Sequence, residues 1–112
     1  MTAVLSGARS GLDPAAALDL CRTLADPIRL SLMSAIWQAE RCVCDLRDTT
    51  GEQRQNLVSH HLGVLRRTGI VDTRRDGRWI YYRPADGMDE GRTTALTALL
   101  GPRGDGQPAA CE

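Results

Sequence analysis

Apolar residues recur at helical spacing through the first third of the chain. Asp13-Pro14 is typical of a helix start, because Asp caps the first turn and Pro suits its first position. The apolar residues that follow share one helical face: Ala17, Leu18, Cys21, Leu24 and Ala25. Asp26-Pro27 repeats the start signal before a second amphipathic pattern: Ile28, Leu32, Met33, Ile36 and Trp37. The chain therefore begins with two predicted helices.

A third and a fourth helical segment follow a polar break at residues 38–41. The third is short, begins at Cys42 and Cys44, and extends through Asp48 to a turn at residues 49–52. The fourth has the stronger pattern and ends near Thr68-Gly69, where Gly makes a natural C-cap. Its apolar or half-buried positions are predicted to be Leu57, Val58, His61, Leu62, Val64 and Leu65.

The periodicity changes after residue 69. Residues 70–75 and 78–83 are β-prone, and the Asp76-Gly77 pair between them is a strong hairpin signal. A last helix is predicted between Met88 and Leu100. The resulting order, α-α-α-α-β-β-α, is mainly α with a β-hairpin and predicts a winged helix-turn-helix. We expect a flexible arm at residues 1–12, a DNA-binding and dimerisation domain at 13–100 and a disordered tail at 101–112.

Composition and charge modify this picture in two ways. A domain of 112 residues with no Phe has a thin core, and a leftover apolar helix face would be buried by dimerisation. The formal net charge is zero, yet residues 53–83 carry seven arginines and two acids. This polarised charge places the basic surface on the fourth helix and the hairpin, as expected of a nucleic-acid-binding protein.

The fourth helix and the hairpin carry the side chains suited to DNA. Gln and Asn can pair bidentately with adenine and Arg with guanine, while Ser and His reach bases or phosphates. The first half of a reading helix contacts base edges. The predicted DNA-contacting residues are Arg54, Gln55, Asn56, Ser59 and His60 on the helix, with Arg74, Arg75 and Arg78 on the hairpin. His61, on the apolar side, is predicted to be packed or hydrogen-bonded inside.

The four cysteines are expected to be reduced. The N-terminus shows no signal-peptide pattern and no stretch is long and apolar enough for a membrane span, so we expect a cytoplasmic protein. Thiols there act as ligands, sensors or core residues rather than as a disulfide framework. Cys42 and Cys44 are the leading metal ligands, because thiolates suit soft ions.

Four motifs in register resemble the ArsR/SmtB family of metalloregulators. They are LADPIRL at residues 24–30, CVCDL at 42–46, VSHHL at 58–62, and the Gly77-Arg78 wing followed by Tyr81-Tyr82. The resemblance covers residues 15 to 83. It implies a homodimeric cytosolic transcriptional regulator that binds an inverted-repeat operator and, as in most members, leaves the DNA when a metal or metalloid binds.

Three departures from the family pattern bear on this expectation. One residue more than usual separates Gly51 from His60, with no Pro. Thr50 stands where Leu is usual, so we expect a weakly anchored third helix. The last helix lacks the His and acidic ligands of the zinc-sensing members, which points to the branch that uses thiolates.

The spacing of the cysteine pair constrains how it binds an ion. On an ideal helix, residues i and i+2 point about 200° apart, so Cys42 and Cys44 can hold one ion only if the first turn is not helical. Trivalent arsenic with three sulfur ligands would need one more thiolate, from Cys111 or Cys21. Cys21 fits better as a small core residue on the apolar face of the first helix.

The leading hypothesis is a DNA-binding repressor released by arsenite or antimonite, with Cd, Pb, Zn and Ni as further candidates and no organic cofactor. One alternative is a thiol redox switch in which Cys42 and Cys44, or one of them with Cys111, become oxidised; the longer-range pairing is favoured because an i, i+2 disulfide closes a strained ring. Another is a winged-helix repressor or activator whose own sensing is weak, nickel-linked or dependent on an accessory protein. An enzyme is excluded, since the chain lacks a Cys-x-x-Cys motif, a phosphate-binding loop and a nucleophile–base set.

Overall fold

The computed structural model describes residues 12–51 and 54–104. These residues contain five helices and three short strands. In chain order they are α1 (Pro14–Leu24), α2 (Pro27–Gln38), β1 (Arg41–Cys42), α3 (Val43–Thr50), α4 (Gln55–Thr68), β2 (Val71–Asp76), β3 (Trp79–Pro84) and α5 (Glu90–Leu100). The predicted winged helix-turn-helix order is confirmed. The structure adds β1, which the sequence pattern did not indicate.

The two helix starts predicted from Asp-Pro pairs are confirmed in atomic detail. Oδ1 of Asp13 accepts a hydrogen bond from the Ala16 amide at 2.7 Å. Oδ1 of Asp26 accepts from the amides of Ile28 at 2.8 Å and Arg29 at 3.1 Å. Each carboxylate thereby satisfies amides that have no partner within the helix.

A three-stranded antiparallel sheet with the order β1-β3-β2 forms the wing and its base. In the β2–β3 hairpin, Val71 pairs with Pro84 and Asp76 with Trp79, and Gly77 at the turn has a φ of 63°. The two residues of β1 extend the sheet on the other side of β3, with Cys42 opposite Tyr81. The segment that carries the first cysteine is therefore hydrogen-bonded to the central strand of the wing.

Helix α2 supplies the centre of the hydrophobic core. Its fully buried residues are Leu32, Met33, Ile36 and Trp37. They pack with buried leucines of the other helices: Leu46 of α3, Leu62 and Leu65 of α4, and Leu96 of α5. The expectation that α3 is weakly anchored is not met, because Leu46 is completely buried. The Thr50 hydroxyl donates to the Leu46 carbonyl at 3.0 Å, within the helix itself.

The apolar face predicted for α1 divides between the core and the surface. The structure buries Leu20 and Leu24, whereas Leu18 is 51% exposed. Cys21 is also exposed, so its prediction as a core residue is wrong for this chain taken alone. The physical reason is that the i, i+4 pair Leu20/Leu24 faces the core, which turns Cys21 toward the groove described below.

The chain after α5 folds back onto α2. The Trp37 indole Nε1 donates to the Gly101 carbonyl at 2.8 Å, and the Gly104 amide donates to the Trp37 carbonyl at 2.9 Å. A Cβ atom added to Gly104 would overlap the Gln38 carbonyl group. Residues 101–104 of the predicted tail thus contact the core, while the remainder of the tail and residues 1–11 of the predicted arm lie outside the described residues. None of the described helices is long and apolar enough to cross a membrane.

Candidate functional site

The cysteine pair lies where β1 passes into α3. Cys42 is the N-cap residue of α3, with an extended backbone (φ −87°, ψ 168°), and Cys44 follows in the first turn. Their sulfur atoms are 2.9 Å apart. The first turn is therefore not helical at Cys42, which is the condition under which the i, i+2 pair can face a single ion.

The donor set of the pair fits a soft ion but is incomplete within the part of the chain that the structure describes. Both donor atoms are sulfur, the preferred ligand of such ions, but Cys42 is disulfide-bonded in this structure, so the pair can hold an ion only after that bond is reduced. Metal–thiolate bonds of about 2.3 Å at a tetrahedral centre place two sulfurs about 3.8 Å apart, so these two would have to separate slightly. No group of three His, Cys, Asp or Glu side chains with metal-binding geometry occurs in residues 12–51 and 54–104. Cys111 lies outside those residues, and Cys21 lines a separate groove.

The pair opens into a cavity of about 260 Å³ between α3, the start of α4 and the hairpin. Cys42 is only 2% exposed. The lining residues are Cys42, Val43, Cys44, Gln55, Arg78, Trp79 and Ile80. Two of the residues predicted to contact DNA, Gln55 and Arg78, therefore share a cavity with the predicted ion ligands.

Helix α4 separates its polar and apolar side chains as the sequence predicted. Gln55, Asn56, Ser59 and His60 are exposed, as is Arg54 at the N-cap. The prediction that His61 is packed or hydrogen-bonded inside is confirmed, since it is buried and its Nδ1 lies 3.1 Å from Nη1 of Arg29. The DNA contacts themselves remain a prediction.

The three hairpin arginines lie in different surroundings. Arg75 and Arg78 are exposed, and the Arg78 guanidinium carbon lies 5.3 Å from the Trp79 ring centroid. Arg74 instead lies over the Tyr81 ring at 4.8 Å and is bound to a carboxylate, that of Glu40. Arg75 and Arg78 are therefore better placed to reach a phosphate than Arg74.

Glu40 is the residue that sequence reasoning missed. It immediately precedes β1, and its side chain is 10% exposed. Oε1 accepts from Nη2 of Arg74 at 2.9 Å, and Oε2 lies 3.2 Å from Nε of Arg83. Hydrogen bonding to Glu40 raises the pKa of the Arg74 guanidinium above its ordinary value. One carboxylate thus joins the two strands of the hairpin to the segment that carries Cys42.

A second feature is an apolar groove of about 340 Å³ along α1, and its lining includes the buried Leu20 and Leu24. Helices α1, α2 and α5 contribute to it, and Leu99 of α5 is 65% exposed. Its lining is Leu12, Ala17, Leu20, Cys21, Leu24, Leu30, Ala95 and Leu99. Apolar side chains grouped in this way on a surface are typical of sites that bind a partner or a ligand.

The helix order, the exposed polar face of α4 and the antiparallel wing define a winged helix-turn-helix protein. Residues 26–73 match the family model described as bacterial regulatory protein, arsR family. The chain is 42% identical over 81 residues to the biofilm growth-associated repressor of Agrobacterium fabrum, a match that spans 72% of this chain and 68% of that protein. The chain belongs to the arsR family.

Two further relatives match over shorter spans. Identity to the transcriptional repressor SmtB homolog of Synechocystis is 49% over 63 residues, covering 56% of this chain and 47% of that protein. Identity to the arsenical resistance operon repressor of Escherichia coli is 39% over 67 residues, covering 59% and 56% respectively. The chain thus spans about half the length of these two relatives. All three relatives are named as repressors, which confirms that the chain falls in a non-enzymatic class.

Solved structures agree with the fold. The transcriptional repressor BigR from Xylella fastidiosa superposes with a TM-score of 0.61 at 33% identity, over 75% of this chain and 85% of that one. The homodimeric winged helix-turn-helix DNA-binding domain from Mycobacterium bovis superposes with a TM-score of 0.62 at 31% identity, over 77% and 78%.

Proposed function

We propose that this protein is a transcriptional repressor that binds an inverted-repeat operator as a homodimer and is released when a soft ion coordinates Cys42 and Cys44. Support for DNA binding comes from the exposed polar face of α4 and from the exposed Arg75 and Arg78. These side chains combine base-reading amides with phosphate-binding guanidinium groups. Such a regulator acts in the cytoplasm, where the operator is.

The observation that carries the sensing proposal is the shared cavity. The sulfurs of Cys42 and Cys44 lie 2.9 Å apart at one wall, and Gln55 and Arg78 form another. An ion bound by both sulfurs would place a charged or polarising centre at this wall of the cavity. It would also force the two sulfurs apart. The cavity wall then moves next to side chains that touch DNA, so coordination and operator binding oppose one another.

The proposed inducer is arsenite or antimonite, followed by Cd, Pb or Zn. Sulfur-only donors select these ions over hard cations, and a relative from Escherichia coli is named for arsenical resistance. Cys42 and Cys44 would hold the ion. A third sulfur would come from Cys111 or from Cys21 of either subunit, which leaves the coordination number to experiment.

The proposed dimer forms through the apolar groove of α1 and α5. The exposed Leu18, Leu30 and Leu99 are costly to leave in water, because burial of apolar surface stabilises association by about 25 cal/mol per Å². The similar domain from Mycobacterium bovis is described as homodimeric. Two copies of α4 related by a twofold axis would match an inverted repeat.

The test is fluorescence anisotropy of the protein on DNA from the region upstream of its own gene, under reducing conditions. Arsenite, Cd, Zn and Ni are titrated separately into the complex. We expect arsenite or Cd to release the DNA. The Cys42→Ser/Cys44→Ser variant should bind the operator like the parent but should no longer be released by the ion. Cys21→Ser and Cys111→Ser, made singly, then show which thiol supplies the third ligand.

Two results would contradict the sensing proposal. Loss of operator binding in the double serine variant, without any ion, would make the pair structural. Release by mild peroxide but by none of the ions would favour the thiol redox switch, and thiol counting by mass spectrometry would then identify the oxidised cysteines.

A further inference from the structure

Glu40 connects three elements that meet beside the cysteine pair. It lies one residue before β1, while Arg74 belongs to β2 and Arg83 to β3. The contacts to Arg74 are 2.9 Å from Nη2 to Oε1 and 3.2 Å from Nε to Oε1. The contact to Arg83 is 3.2 Å from Nε to Oε2. Both oxygens of one carboxylate are therefore used to hold the two strands of the wing.

The burial of Glu40 makes this contact firmer than an ordinary surface ion pair. Its side chain is 10% exposed and those of Arg74 and Arg83 are 38% and 31% exposed, whereas that of Asp86, which also binds Arg83, is 67% exposed. An exposed ion pair exchanges readily with water and contributes little. A shielded carboxylate that loses its guanidinium partners is left uncompensated, which is strongly unfavourable. Glu40 therefore moves together with the wing arginines.

The backbone of the same segment is tied to the wing and to the neighbouring helices. Arg41 pairs with Tyr82 and Cys42 with Tyr81 in the β1–β3 ladder. The Arg41 side chain donates to the Ala35 carbonyl at 3.0 Å and to Asp45 Oδ2 at 3.1 Å. Any displacement of Cys42 is consequently passed to β3 rather than absorbed by a loose loop.

We propose that Glu40 is a positioning residue that couples ion binding at Cys42 and Cys44 to the wing. This inference rests on the proposed ion-sensing function. Coordination separates the two sulfurs and shifts β1. Through Glu40, the shift rotates the β2–β3 hairpin relative to α4, so the wing and the reading helix no longer fit one DNA surface together.

The test measures a release factor, defined as the operator Kd with saturating Cd²⁺ divided by the operator Kd without it. Glu40→Gln should lower the release factor roughly tenfold, the scale of a typical coupling between two sites. Binding of Cd²⁺ to the sulfurs, followed by thiolate–Cd ultraviolet absorption, should be unchanged. Asp86→Asn is the matched control: it removes an acidic partner of Arg83 without touching β1, and it should keep the parent release factor.

A merely structural role gives a different result. In that case, Glu40→Gln would lower the melting temperature and weaken operator binding equally with and without Cd²⁺, so that the release factor stays at the parent value. Arg83→Lys provides a second variant that keeps the charge but loses the planar guanidinium contact, and it decides the matter if Glu40→Gln does not fold. An unchanged release factor in both folded variants, or in Arg83→Lys if Glu40→Gln does not fold, overturns the coupling.

The failure of the two proposals can be told apart. If neither arsenite nor Cd²⁺ releases the DNA of the reduced parent protein, the ion-sensing function is wrong and the coupling falls with it. If the parent is released normally and both variants are released equally well, only the role of Glu40 is wrong.

Discussion

At the scale of single residues, Asp26 shows how one carboxylate sets a helix start. Its Oδ1 accepts hydrogen bonds from the amides of Ile28 and Arg29. The Arg29 amide, which has the largest effect, holds the pKa of Asp26 below its ordinary value of 3.8, and the Ile28 amide adds to this. Because the pKa of Asp26 is lower in the folded protein than in the unfolded chain, the ionised carboxylate stabilises the fold. This stabilisation is complete at a pH above the unfolded pKa and is lost as the pH falls through the folded pKa.

Asp26→Ala should therefore lower the free energy of unfolding by about 1 kcal/mol at pH 7, the usual cost of removing an N-cap. The difference from the parent should shrink as the pH falls below the ordinary pKa of 3.8. Urea unfolding at one fixed protein concentration measures both effects. Asp26→Asn keeps an acceptor at the cap and should cost less, and a constant difference between parent and Asp26→Ala across this pH range would contradict the charge argument.

Sequence patterns predicted some residues of the candidate site and not others. The closeness of Cys42 and Cys44 and the burial of His61 are local matters, set by spacing within a few residues. Glu40 gave no such signal, because its partner Arg74 is 34 residues away and their contact exists only once the hairpin folds against β1. The opposite error at Cys21 arose because helical spacing identifies an apolar face but not which part of that face meets the core.

At the scale of elements, α4 and the wing make separable contributions to DNA binding. Asn56 is exposed near the start of α4, and Arg78 is exposed on the hairpin. Asn56→Ala should weaken binding to the operator by about 1–3 kcal/mol while leaving non-specific DNA nearly unaffected, as expected for a base contact. Anisotropy with operator and scrambled DNA distinguishes these effects.

Arg78→Ala should weaken binding to operator and scrambled DNA alike. The slope of log Kd against log salt should fall by about one unit, the signature of a lost phosphate contact. If Arg78→Ala instead relaxes sequence preference without changing the salt slope, the hairpin reads bases and not phosphates.

A helix or strand could be predicted from the sequence where a motif within it marks its start or its turn. The starts of α1 and α2 follow from Asp-Pro pairs, and the hairpin from Asp76-Gly77, because each signal lies within the element that it marks. Strand β1 has only two residues and no pattern of its own. It is a strand because β3 lies alongside it, which is a consequence of tertiary packing.

At the scale of the whole molecule, the apolar groove predicts how two copies associate. Leu99→Glu would place a charge in the proposed interface, so the protein should become monomeric in analytical ultracentrifugation and lose operator affinity. Thr97→Glu is the matched control, since position 97 is exposed and lies about 200° around the helix from position 99. A dimer that persists in Leu99→Glu would place the interface elsewhere.

The fold-back of residues 101–104 onto Trp37 has a consequence for how this protein tolerates sequence change. Pro102 is exposed and should accept many replacements, whereas the Arg103 side chain contacts the Trp37 ring, the Pro84 carbonyl and the Asp86 carboxylate. Gly104 leaves no space for a Cβ beside Gln38, so even alanine there must lift the segment away from the Trp37 carbonyl. A saturation library scored for folded protein should show position 104 as intolerant and position 102 as permissive, in a stretch whose composition suggests no constraint.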